Sequence, residues 1–396
     1  MSKEKKEVVK QKKALLFRFG GIGDMAPCQV VGQQLKKKGY HVTFAVRYDN
    51  DNMRIADVFK DNPAFDELLD YRQLGPWATR CVKTQFGWAS INTIFKDFDL
   101  VLDYMNIIES NNTSPVCKQG VGEEWQQSRS SNWTNWYDLH LAWANIDPAT
   151  VPEEEKRPYF SLTKDEEKFF EGIRSKYDKV FTVQTGASSL VRTWYQGEKL
   201  VTALLKEYPN SVVFYWDAKK SVWLACTPSE SSQVQIPHAS PLRVSMGLIW
   251  ASDVFVGADT GFTHIAEGLG VKHVALYSTV PAWTRAKYYK HQFPIDPGTT
   301  NPEYYTFNLS LGDPLRVLEG RENLSEREKL ILSLTTKNIK PEQAAEILGT
   351  NDEGAMMELK SLEVKMQSFE RQQSKALASV TVEQVFNKVK EALDAK

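Results

Sequence analysis

The chain contains 396 residues, of which 42% are hydrophobic and 25% are charged, a balance typical of soluble globular proteins. Its 49 lysines and arginines nearly cancel its 50 aspartates and glutamates, so no overall field draws in nucleic acid or an anionic membrane. The length exceeds that of one ordinary hydrophobic core and predicts two α/β domains with additional segments.

The sequence contains few features that indicate a cellular compartment. No apolar stretch approaches the roughly 20 residues that span a bilayer, and no secretory leader follows the first lysines. The four cysteines are scattered without a CxxC pair, which favours reduced thiols in a cytoplasm and argues against structural zinc. Residues 1–13 are lysine-rich with interspersed glutamates and predict a solvated basic tail. We therefore expect a cytoplasmic protein with no transmembrane segment.

The first predicted domain, residues 14–155, begins with a βαβ unit. An apolar strand at 14–19 enters the turn Gly20-Gly21-Ile22-Gly23, which a helix at 24–38 and a strand at 41–46 follow. This order implies a parallel sheet, to which we assign a later strand at 98–104.

An aromatic segment closes this domain. Exposed rings at Trp133 and Trp136, together with the Gly21–Gly23 turn, would form an acceptor-side loop that stacks on sugars or bases. The helical spacing of the aromatic residues, however, favours a core position for most of the rings. Prolines 148, 152 and 158 and the charge run at 153–157 then predict an interdomain linker.

The second predicted domain covers residues 156–308 and repeats the alternation of strands and helices. We predict helices at 164–177, 241–251 and 263–269 and strands at 180–184, 211–216, 254–257 and 273–277.

A helical insert is predicted at residues 309–375, before a terminal segment, 376–396, whose amphipathic helix at 380–393 returns to the core. The insert has helices at 324–334, 341–348 and 351–373 and faintly resembles a helix-turn-helix. The part of the third helix that would contact DNA, residues 351–362, begins with acidic residues and has Lys360 as its one base, which suits phosphate contact poorly. We therefore favour a protein-contact or lid module, with a protein partner, over a DNA reader.

The glycine turn allows two interpretations. Residues 21–26 fit a dinucleotide G-x-G-x-x-A pattern, and Arg47 would suit a 2′-phosphate. Asp24, however, places a carboxylate at the mouth of the helix, where it would repel a bound pyrophosphate. A carboxylate ionised by the helix dipole is instead suited to accept a proton from a hydroxyl, besides the plainer role of a helix cap.

Polar residues follow three strands of the second domain. Ser188, Ser189 and Arg192 lie in a loop of small residues whose hydroxyls and guanidinium suit a phosphate. Asp217 ends a strand and suits ribose hydroxyls. The strongest motif is a strand that ends in a turn and opens a helix, which makes an anion site at the sheet edge. Its residues are Asp259, Thr260, Gly261 and His264.

These motifs together resemble glycosyltransferase family nine, the ADP-heptose:lipopolysaccharide heptosyltransferases, over roughly residues 14–295 and the last helix. The resemblance implies two Rossmann-like domains in the GT-B arrangement and an inverting transfer that needs neither metal nor cofactor. It also implies roles for individual residues. Asp24 matches the general base, Ser188, Ser189 and Arg192 the donor phosphate loop, Asp259, Thr260, Gly261 and His264 the donor pocket, and Asp217 the ribose ligand.

The acceptor stays open between a glycan or lipopolysaccharide-type sugar and a hydroxylated base in modified DNA. Two other classes remain as alternatives. One is an NADP-dependent oxidoreductase that would use Gly21, Gly23, Ala26 and Arg47. The other is a non-catalytic binding protein that has kept the fold.

Overall fold

The computed structural model of the protein describes residues 11–18, 20–46, 55–70, 97–104, 135–187, 192–217, 222–229, 231–233, 241–278, 280–300, 325, 327, 330, 341–354, 356–358, 360 and 375–395. Strands and helices alternate along this part of the chain, and the strands form two separate sheets. The described helices are α1 (Ile22–Lys37), α2 (Trp136–Trp143), α3 (Lys164–Arg174), α4 (Gly197–Glu207), α5 (Pro241–Trp250), α6 (Gly261–Gly268), α7 (Ala282–Ala286), α8 (Pro341–Leu348), α9 (Lys375–Ala378) and α10 (Val382–Asp394).

The first sheet has four strands in the order β3-β2-β1-β4, and every neighbouring pair is parallel. Its two central strands are mostly apolar and, after their first residues, are buried on both faces, as expected where helices cover a parallel sheet. The strands are β1 (Lys13–Phe17), β2 (His41–Val46), β3 (Glu67–Asp70) and β4 (Leu100–Asp103).

The second sheet has seven strands in the order β11-β10-β9-β5-β6-β7-β8. The strands from β11 to β6 are parallel, and β7 and β8 extend the edge in antiparallel fashion. Its strands are β5 (Lys179–Gln184), β6 (Ser211–Asp217), β7 (Val222–Cys226), β8 (Ser231–Gln233), β9 (Val254–Ala258), β10 (His273–Leu276) and β11 (Gln292–Ile295). The prediction of two Rossmann-like α/β units is thereby confirmed.

The stretch of chain between α2 and α3 connects the two α/β units. The backbone N–H of Phe160 donates to the Gly268 carbonyl at 3.1 Å. The backbone N–H of Tyr159 donates to Gln29 Oε1 at 2.9 Å, and Asn62 Nδ2 donates to the Tyr159 carbonyl at 2.8 Å. These bonds tie the stretch to α1 and α6 together. The predicted boundary at residue 155 falls beside it and stays a prediction.

The helix α10 packs on the second sheet. Val385 and Val389 are fully buried in a cluster with Val274 and Leu276 of β10. The short α9 packs against the turn Pro297–Thr299, which follows β11. Of the three helices predicted in the insert, α8 is present with the predicted bounds, whereas the other two lie largely outside the described residues. None of the described helices is both long enough and apolar enough to cross a membrane.

Candidate active site

The Asp24 carboxylate accepts a hydrogen bond from the backbone of the turn that precedes it. Gly21 is the N-cap residue, and its N–H donates to Asp24 Oδ2 at 2.8 Å. Gly20 has φ +138°, and a Cβ there would lie 2.6 Å from the same oxygen, so only glycine fits. Asp24 thus lies inside the first helical turn and reaches back to the N-cap, which corrects the simple interpretation of Asp24 as the cap residue itself.

The buried guanidinium of Arg18 lies next to the Asp24 carboxylate. Arg18 is 1% exposed; its Nη2 lies 3.6 Å from Asp24 Oδ1, and its Nη1 donates to the Tyr104 carbonyl at 3.3 Å. The Asp24 side chain keeps 28% of its surface exposed. The carboxylate thus lies between a fixed positive charge and a backbone N–H, while solvent still reaches it.

The second turn lies at the carboxyl edge of the larger sheet. Asp259 follows β9, and Thr260 is the N-cap of α6, where its Oγ1 accepts from the Phe262 N–H at 3.4 Å. The same hydroxyl donates to Gln184 Oε1 at 3.1 Å, at the end of the neighbouring strand β5. Because β9, β5 and β6 are adjacent and parallel, Asp217 at the end of β6 lies at this edge as well.

The loop after β5 is folded onto this turn. Arg192 Nη1 donates to the Asp259 carbonyl at 3.1 Å. The loop closes through the Trp194 N–H, which donates to the Thr185 carbonyl at 2.9 Å, and Trp194 Nε1 donates to the Val380 carbonyl at 3.0 Å. Ser188 and Ser189 lie outside the described residues. The structure thus brings Arg192 to the α6 turn, and its role in binding phosphate stays a prediction.

Glycines allow α1 and α6 to meet directly at their amino ends. A Cβ on Gly23 would lie 2.8 Å from His264 Nε2, and a Cβ on Gly261 would lie 2.8 Å from the Ile22 Cβ. A Cβ less than 3.0 Å from another heavy atom would force its neighbours to move. The two helices can approach this closely because residues 23 and 261 are glycines and carry no Cβ. The turn that carries Asp24 and the turn that opens α6 therefore face each other across one junction.

His264 points into this junction as a neutral side chain. It is 3% exposed, and burial lowers the pKa of its imidazole to about 4, with Asp259 acting in the opposite direction. Its Nδ1 is hydrogen-bonded to the Tyr289 hydroxyl, which in turn lies 2.7 Å from the Tyr137 hydroxyl. The imidazole orientation is thereby fixed by a chain of hydroxyls that reaches α2.

An arginine that the motifs did not reveal completes the site. Arg285 Nε lies 3.8 Å from Asp259 Oδ2, and its guanidinium carbon lies 3.1 Å from the centroid of the Trp136 ring. Burial lowers the pKa of Arg285, and the carboxylates of Asp259 and Asp24 oppose this effect. Arg285 follows no glycine-rich turn, so the sequence offered no signal for it beyond its place after β10.

Trp136 requires a correction. We expected an exposed ring in an acceptor-side loop, but Trp136 is the first residue of α2 and is 3% exposed. Its ring face is occupied by the Arg285 guanidinium. The accompanying Trp133 lies outside the described residues.

The dinucleotide alternative is not favoured by this geometry. The amino end of α1 is occupied by the Asp24 carboxylate, which leaves a negative charge where a pyrophosphate would lie. Ala26 is buried inside α1, and Arg47 lies outside the described residues.

Comparisons with known proteins find one matching protein family and solved structures of similar fold. Residues 139–295 match the model of glycosyltransferase family 9 (heptosyltransferase). The structure of a family 9 glycosyl transferase from Veillonella parvula is 13% identical, with 78% of this chain and 96% of that chain covered and a TM-score of 0.50. The ADP-heptose lipopolysaccharide heptosyltransferase II of E. coli is 14% identical, with 72% and 90% covered and a TM-score of 0.48. No curated protein sequence matches the chain significantly.

At these identities the structural likeness concerns the fold, which is of the GT-B type. The match over residues 139–295 confirms the family resemblance drawn from the motifs. Within this stretch the chain resembles glycosyltransferase family 9 (heptosyltransferase), the family that the motifs indicated.

Proposed function

We propose that this glycosyltransferase moves a sugar from a nucleoside-diphosphate sugar to an acceptor hydroxyl, with inversion and without a metal ion. The observation that carries the proposal is the junction of α1 and α6. Gly23 lies against His264 and Gly261 against Ile22, so a carboxylate at one helix start stands beside an anion-binding helix start. These are the two parts that a single displacement at an anomeric carbon needs.

The base in this proposal is Asp24. Its carboxylate takes the proton of the acceptor hydroxyl while the hydroxyl oxygen attacks the anomeric carbon. The bond from that carbon to the diphosphate oxygen breaks, and the nucleoside diphosphate leaves with the electron pair. The buried Arg18 lies 3.6 Å from the carboxylate and holds it in place beside the acceptor hydroxyl.

The leaving diphosphate is stabilised by fixed positive groups. The amino end of α6 presents backbone N–H groups, and Arg192 adds a guanidinium at the Asp259 turn. We assign Ser188 and Ser189 to the same phosphate loop and Asp217 to the ribose, as the family resemblance implies. Neutral His264 donates or accepts a hydrogen bond without adding charge.

The acceptor in this proposal is a glycan of the lipopolysaccharide type, because the matching family is described as heptosyltransferases. A hydroxylated base in DNA is the second candidate for the acceptor. Mass spectrometry of products from ADP- and UDP-sugars, offered with glycan and hydroxymethylated DNA acceptors, identifies both substrates by the added mass.

The proposal is tested by Asp24→Asn. The amide oxygen still accepts from the Gly21 N–H, so the helix cap is retained while the base is lost. We expect kcat to fall about 10²- to 10⁴-fold with little change in donor KM. The matched control is Asp147→Asn, at another exposed carboxylate whose side chain caps a short helix. If the Asp24→Asn variant transferred sugar at the wild-type rate, Asp24 would not be the base.

A further inference from the structure

Three side chains form a stack between the two halves of the site. The Arg285 guanidinium carbon lies 3.1 Å from the Trp136 ring centroid, and Arg285 Nε lies 3.8 Å from Asp259 Oδ2. Their exposed fractions are 7% for Arg285, 3% for Trp136 and 3% for Asp259. The cation is thus enclosed between a ring face and a carboxylate.

The ring and the cation come from opposite sides of the junction. The helix α2, which begins with Trp136, packs against α1, and its Trp143 Nε1 donates to the Asp103 carbonyl at the end of β4. The helix α7, which carries Arg285, belongs to the second sheet, where the Ala282 N–H donates to Asp296 Oδ2 beyond β11 at 2.7 Å. The stack therefore links the half that holds Asp24 to the half that holds Asp259.

A second contact fixes the ring relative to α7. Asn135 is the N-cap of α2, and its Oδ1 accepts from the Tyr137 N–H at 3.0 Å. The amide nitrogen of the same side chain donates to the Trp283 carbonyl at 2.8 Å. One buried side chain thus sets both the start of α2 and the position of α7, so the ring stays over the guanidinium.

Contact with the face of the Trp136 ring is energetically favourable for the Arg285 guanidinium. An arginine over a tryptophan ring gains electrostatic attraction, and the gain grows when water is excluded. Without the ring, a buried guanidinium would turn toward water or another acceptor, and the Asp259 carboxylate would lose its charge partner.

We propose that Trp136 is a positioning residue of the donor pocket, which holds Arg285 against Asp259 from the opposite side of the junction. This inference rests on the proposed function in taking the Asp259 turn as the donor site. It implies that a residue on the side of Asp24 sets the affinity for the nucleotide, and that the pocket is complete only when α2 and α7 are in contact.

The test is calorimetric titration of the full chain with ADP and with UDP, followed with the tighter of the two. We expect affinity to fall about tenfold in Trp136→Leu and about threefold in Trp136→Phe, which keeps a weaker ring. The matched control is Trp143→Phe, a buried tryptophan at the other end of α2, for which we expect unchanged affinity.

A double-mutant cycle separates positioning from a general loss of packing. If Trp136 acts through Arg285, then Trp136→Phe has no further effect on affinity in an Arg285→Met background. Additive losses in the double variant, or wild-type affinity in Trp136→Phe and Trp136→Leu, overturn the inference.

The Asp259→Asn variant distinguishes a failure of the inference about Trp136 from a failure of the proposed donor site. If Asp259→Asn weakens nucleotide binding and the Trp136 variants do not, the inference fails and the proposed donor site stands. If neither nucleotide binds the wild-type chain, or Asp259→Asn binds as the wild type does, the donor site fails and the inference fails with it.

Discussion

The contact between Gly23 and His264 predicts the result of adding one methyl group. In Gly23→Ala, the new Cβ would lie 2.8 Å from His264 Nε2 and 2.9 Å from Cδ2. The imidazole is enclosed and hydrogen-bonded to Tyr289, so it has little room to move aside. The two helices must instead separate by several tenths of an ångström.

Two effects of opposite sign set the magnitude. Overpacking of this kind costs about 1–3 kcal/mol, whereas replacement of a helical glycine by alanine contributes about 1 kcal/mol of stability. We expect a net loss of about 1 kcal/mol in the free energy of unfolding. We also expect lower transfer activity, since the displaced helices carry Asp24 and the donor turn.

The control is Gly172→Ala in α3. Gly172 is also helical, but nothing lies within 4 Å of a Cβ built there, so alanine should stabilise by about 1 kcal/mol. Urea unfolding of both variants, followed by circular dichroism, measures the difference. Equal stabilisation by Gly23→Ala and Gly172→Ala would show that α1 and α6 do not touch as described.

Two further predictions concern stability. Burial lowers the pKa of His140 and His273 to about 3 and of His264 to about 4, below the ordinary value of about 6.5. The unfolded chain therefore binds protons that the folded chain does not. Stability that is complete above pH 6.5 should fall by about 1.4 kcal/mol per pH unit for each histidine toward pH 4. Urea titrations at pH 7 and 5 should show this loss, and a slope unchanged in His273→Asn would contradict it. Val389→Ala in α10 should cost about 2 kcal/mol because the side chain is fully buried on the second sheet. The same unfolding assay, with exposed Glu383→Ala as control, would contradict this if both changes were neutral.

Much of the fold could be predicted from short-range patterns. The strand β2 has the predicted bounds because four of its six residues are apolar and a glycine ends the preceding helix shortly before it. The α6 turn was predictable because a buried strand, a capping threonine and a glycine follow one another directly. The strand β3 was missed, because Glu67–Asp70 is an edge strand that is largely half-buried and so lacks a strong apolar pattern.

The site was less accessible to sequence reasoning. The stack of Arg285 on Trp136 joins residues far apart in the chain, and neither lies in a motif that marks a ligand. Trp136 was assigned to an exposed loop because its surroundings are rich in rings, and composition does not tell which face a ring presents. The pairing of Gly23 with His264 was likewise invisible until both helix starts were placed.

The contact of α9 with the turn Pro297–Thr299 has a topological consequence. The chain leaves the second sheet at this turn and comes back to it at Lys375, so the exit and the re-entry are neighbours. A segment whose ends adjoin is exchangeable, because the scaffold does not depend on the path taken between them. The stretch between residues 300 and 375 is thus a natural site for grafting or shortening. Chimaeras made there would assign the contribution of the insert separately from that of the transferase.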